Sequence, residues 1–154
     1  MNVLPLEKCT SIMGRIMAID YGIRRVGVAV TDPLQIIATP LTTIRTTDTL
    51  SFLKAYMGQE EVEALVVGMP KHLNNTSSRM TTIVQKFIQT LQITFPGKCI
   101  TSQDERYTSK IALASMIEGG FKKKDRRQKE HVDRISATLI LQSFLVSKQS
   151  NGLS

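Results

Sequence analysis

Two short apolar runs rich in Ile and Val, residues 15–19 and 26–30, are separated by only six residues, DYGIRR. They read as adjacent strands joined by a turn containing Gly22. A third strand is expected around Leu41 to Ile44, after the breaker Pro40. From Asp48, a candidate N-cap, Leu50, Leu53 and Met57 follow at helical spacing, with Gly58 placed to end the helix. EALVVGMP, residues 63–70, is a compact buried-strand signal. The clearest helix carries Met80, Ile83, Val84, Phe87 and Leu91 on one face, with Ser77 or Ser78 as its cap.

After Pro96 and Gly97, KCITSQ reads as a last strand running into DERYTS, where Thr108 is placed to cap a helix ending at Gly119 and Gly120. A basic stretch follows. The final helix, from about His131 to Lys148, is expected to bury Val132, Ile135, Leu139 and Val146, broadened by Ile140 and Phe144. Three strands followed by alternating helices and strands imply an α/β fold, a mixed sheet with helices on its faces. A chain of 154 residues is long enough for one hydrophobic core without disulfide staples. One domain is therefore expected over residues 14–148, between an N-terminal extension at 1–13 and a flexible tail at 149–154.

No apolar run approaches a membrane span, and the first residues lack a secretory pattern, so a cytoplasmic protein is expected. Cys9 and Cys99 are far apart and have no partners at metal-ligand spacing, so they read as free thiols. The net charge of +7 favours association with polyanions through counterion release, which makes nucleic acid the leading partner class. With few aromatics available for stacking, recognition should depend on backbone shape more than on sequence.

There is no phosphate-binding Gly-rich loop ending in Lys-Ser/Thr, no Gly-x-Ser-x-Gly elbow, and only two histidines, His72 and His131. Carboxylates remain as the chemical groups. Asp20 closes the first strand, Asp104 and Glu105 close the last, and Asp133 opens the final helix. Singly, each has a structural explanation: a helix-dipole partner for Asp133, ion pairs with neighbouring arginines for the others. Gathered at one point they would repel one another unless cations filled the cluster, and hard oxygen ligands suit Mg²⁺ or Mn²⁺. Such ions promote phosphodiester hydrolysis.

The segments IDYGIRRVGVAVTDP, VVGMP, DERYTS and VDRISATLILQSFL occur in an order that resembles the YqgF family, over roughly residues 14 to 146. That resemblance implies a ribonuclease H-like fold with a mixed five-stranded sheet flanked by helices. It also implies a divalent-metal-dependent nuclease acting in 5′-end maturation of pre-16S rRNA during ribosome biogenesis. The family is alternatively described as Holliday junction resolvase-like, which would make branched DNA the substrate. A non-catalytic nucleic-acid-binding module is a further alternative.

Carried over by position, the acidic set is Asp20, Glu105 and Asp133, with Asp104 the less secure member of its pair. Candidate phosphate contacts are Arg24, Arg25, Arg106, Lys122, Lys123, Lys124, Arg126, Arg127 and Lys129. Gly22 and Gly27 would let a phosphate backbone approach Asp20, although turn and sheet packing explain them equally well. The opening motif also resembles the phosphate loop of the actin and hexokinase superfamily, whose members need two such domains. A monomer and a homodimer are both compatible with the sequence.

Overall fold

The computed structural model describes residues 14–70, 79–104 and 129–152. Strands β1 (Arg15–Tyr21), β2 (Arg25–Thr31), β3 (Ala38–Arg45), β4 (Val62–Met69) and β5 (Cys99–Asp104) form one sheet in the order β3-β2-β1-β4-β5. The short connections make β1, β2 and β3 successively antiparallel, while β4 and β5 run parallel to β1. Helices α1 (Thr49–Gln59) and α2 (Arg79–Thr94) join the parallel strands or precede them, as such crossovers require. The last described helix is α3 (Lys129–Gly152).

Side chains alternate between two cores. Met17, Ile19, Val26, Val28, Leu65, Val67 and Ile100 face α1 and α2, where Leu53, Val84, Phe87, Ile88 and Leu91 cover them. On the other face Ile16, Ala18, Ala29, Ala64, Val66 and Cys99 meet Ala137, Ile140, Leu141, Phe144 and Leu145 of α3. That second face carries three alanines, so α3 can lie close to the sheet.

Several expectations need correction. The buried stripe of α3 runs through Ala137, Ile140, Leu141, Phe144 and Leu145, whereas Val146 is 62% exposed. Ala137 joins the stripe because it meets the alanines of the sheet. Pro40 does not precede β3 but sits within it, on an edge strand and beside a register shift, where its missing N–H is tolerated. Helix α1 passes through Gly58 to Gln59, and a 3₁₀ turn at Thr46–Asp48 leads into it without a side-chain cap from Asp48. Helix α3 starts at Lys129, which was expected in the preceding loop, and continues to Gly152, into the stretch expected as a tail. Cys99 is disulfide-bonded rather than free, and the chain's other cysteine, Cys9, lies outside the described residues. Separation along the sequence does not limit pairing once a chain has folded.

Candidate functional site

Alternation along β1 decides where its acid points. Ile16 and Ala18 face α3, and Asp20, next in that series, takes the same face at the end of the strand. Tyr21 takes the opposite face and stacks on Phe87 with ring centroids 4.0 Å apart. Burial raises the Tyr21 phenol above its ordinary pKa. The strand end is thus anchored by an aromatic pair on one side while it presents a half-buried carboxylate on the other.

Register supplies the surroundings of Asp20. Gly27 lies directly opposite it on β2, and Thr43 lies opposite Gly27 on β3. The β1–β4 pairing of Ile19 with Val67, continued by one residue, brings Gly68 level with Asp20 on the other side. Gln103 of β5 is in turn paired with Gly68. Residues directly opposite in a sheet share a face, so Asp20 stands between two positions that lack a Cβ. No side chain from either flanking strand stands directly beside the carboxylate in this row.

Gly22 has a different reason. A Cβ there would lie 2.6 Å from the Arg25 carbonyl oxygen, so the tight turn itself requires glycine. The Thr46 hydroxyl donates to the Gly22 carbonyl at 2.7 Å, and the Thr46 N–H donates to the Arg24 carbonyl at 3.1 Å, which fixes the turn against the end of β3. Beside it opens a cleft of about 540 Å³, lined by Ile23, Arg24, Arg25, Arg45 and the threonines at 43, 46 and 47 among others.

The remaining predicted residues separate. Asp104 follows Ile100 in the alternation of β5, so it belongs to the face opposite Asp20, and it is exposed. Asp133 lies in the first turns of α3, the helix that covers the face of Asp20. The direction of α3 is fixed by its far end: the Lys148 ammonium donates to Gln35 Oε1, while Gln35 Nε2 donates to the Gly14 carbonyl at 2.8 Å. Because Gly14 immediately precedes β1, α3 ends where β1 begins and starts toward the edge where β1 ends. Glu105, Arg106, Lys122, Lys123, Lys124, Arg126 and Arg127 lie outside the described residues, as do the side chains of Lys129 and Asp133. Among the described residues, no three His, Cys, Asp or Glu side chains gather in a metal-binding cluster. Sequence reading missed Arg45, which nothing local distinguishes from any other strand end.

Comparison with known proteins agrees with this architecture. Residues 14–147 match the RuvX family, described as Holliday junction resolvase. A protein of Amoebophilus asiaticus named "Putative pre-16S rRNA nuclease" is 59% identical over 135 residues, covering 88% of this chain and 96% of its own. Proteins of the same name from Flavobacterium psychrophilum and Bacteroides thetaiotaomicron are each 47% identical, covering 88% and 89% of this chain and 99% of their own. Among solved structures, T. thermophilus RuvC in complex with a Holliday junction substrate superposes with a TM-score of 0.50 at 18% identity, over 87% of this chain and 95% of that one. This likeness supports the ribonuclease H-like fold of the sheet. By its match across residues 14–147 and its identity to these bacterial relatives, the chain belongs to the RuvX/YqgF family.

Proposed function

We propose that this protein is a divalent-metal-dependent nuclease that hydrolyses phosphodiesters in structured RNA, with the 5′ end of pre-16S rRNA as its substrate. The observation that carries this reading is Asp20 itself, held at a strand end between Gly27 and Gly68 on the face covered by α3. The name shared by the relatives supports RNA over DNA. Ribosomal RNA maturation in bacteria implies action in the cytoplasm.

The donor chemistry fits Mg²⁺ or Mn²⁺, which take carboxylate oxygens. Asp20, Glu105 and Asp133 would hold the ion. Asp104 lies on the face opposite Asp20, so the family motif's Glu105 is preferred to it as a ligand. Bound metal supplies Lewis-acid stabilisation of the reacting phosphoryl group and makes water more acidic. The protein's own contribution is a carboxylate held at a strand end between two glycines, and guanidinium groups at Arg24 and Arg25 that grip the strand electrostatically.

The test is cleavage of a 16S precursor, with a four-way DNA junction in parallel, by wild type, Asp20→Asn, Glu105→Gln and Asp133→Asn. Each substitution should lower the rate by more than the roughly 10–100-fold typical of losing a residue that only supports a metal ligand. RNA binding in the absence of metal should persist. Undiminished cleavage by Asp20→Asn would refute the site. Junction cutting with the precursor left intact would move the substrate to branched DNA, and binding without any cleavage would indicate a non-catalytic module.

A further inference from the structure

Register places two arginines face to face. Arg25 on β2 is paired directly with Arg45 on β3, and like charges directly opposite in a sheet repel. Both continue the series Gly27 and Thr43, so they share the face of Asp20, one pleat further along. Arg24 lines the same cleft, and its described lining residues include no carboxylate. Thr46, bonded to the carbonyls of both Gly22 and Arg24, holds the turn and the end of β3 together, so the backbones that carry Arg24 and Arg45 belong to one frame. Basic side chains gathered along one cleft favour an anion there.

We infer that Arg45, together with Arg24, forms a second phosphate subsite that holds a backbone phosphate about two nucleotides from the one cut at Asp20. The inference rests on the nuclease reading for the location of the cut, but not for the binding of phosphate. Arg45 stands two strands across the sheet from Asp20 and two residues further along it, about 12 Å away, on the scale of two nucleotide steps. Exposed Ile23 at the cleft mouth adds an apolar contact suited to a sugar edge.

The probe is a short fluorescein-labelled RNA hairpin, titrated in Ca²⁺ at several salt concentrations. Arg45→Gln should lower the slope of log affinity against log salt by about one, which amounts to roughly an eightfold loss of affinity at 0.1 M salt. Arg45→Lys should retain most of the slope, and Lys54→Gln, on the exposed surface of α1, should leave both quantities unchanged. Without anions Arg45→Gln, an exposed substitution, should melt close to wild type. Inorganic phosphate should then raise the wild-type melting temperature more than that of Arg45→Gln.

An unchanged slope in Arg45→Gln, or an equal loss in Lys54→Gln, would overturn the subsite. The two readings fail separately. Arg45-dependent binding by a protein that never cleaves RNA keeps the subsite and sinks the nuclease, whereas Asp20-dependent cleavage with binding indifferent to Arg45 does the reverse.

Discussion

At the scale of single residues, Asp32 shows how much one carboxylate can organise. Its Oδ1 accepts the N–H groups of Ile36 at 2.8 Å and Ile37 at 2.7 Å, and its Oδ2 accepts that of Leu34 at 3.1 Å. The Ile37 bond is the largest cause holding the Asp32 pKa below its ordinary 3.8; desolvation opposes it next, and the Ile36, Asp32 and Leu34 N–H groups add to the lowering. A depressed folded-state pKa contributes stability that is present above 3.8 and lost as pH falls through the lower folded value. Amide exchange at Leu34, Ile36 and Ile37 should therefore accelerate only below that value, and Asp32→Ala should abolish their protection at neutral pH. Gly22→Ala, which forces a Cβ against a backbone oxygen, should cost about 1–3 kcal/mol in chemical denaturation. The role of Gly22 was partly legible in the sequence, whereas that of Asp32 was not. The turn glycine was visible as a breaker, but the two explanations for it could be separated only by the atom that its missing Cβ would strike.

Elements were read with uneven success, for physical reasons. Helix α2 was clear because its apolar residues are large and regularly spaced, and Val84, Phe87 and Leu91 are indeed buried. Helix α3 was read in part: Ile140 and Phe144 are buried as expected, but the sheet face built from Ala18, Ala29 and Ala64 also takes in Leu141, Leu145 and small Ala137. This close fit makes α3 sensitive to added volume. Ala29→Leu should destabilise the protein by about 1–3 kcal/mol, measured by urea unfolding, and should reduce cleavage at saturating metal by shifting the helix that carries Asp133. On the other face, Leu53→Ala removes the fully buried contact of α1 and should cost about 2–5 kcal/mol while leaving metal dependence unchanged.

For the whole molecule, charge was the most readable property and geometry the least. The excess of 20 Lys and Arg over 13 Asp and Glu predicts affinity for nucleic acid that falls steeply with salt, checked by titration from low to high ionic strength. Which cations matter is a question of strand register. Arg25 and Arg45 are twenty positions apart yet directly opposed, and no local pattern announces it. The same holds for Asp20 and its two glycines: motif order suggested the acid, while Gly68 entered only when β4 was aligned beside β1. Sheet order has one more effect. Since β1 is the middle strand of five, the carboxylate sits on the segment clamped by neighbours on both sides, where local opening costs the most. The proposed centre at Asp20 should thus fail last: on heating, residual activity and global melting ought to trace one curve, with no warm, folded and inactive state between them.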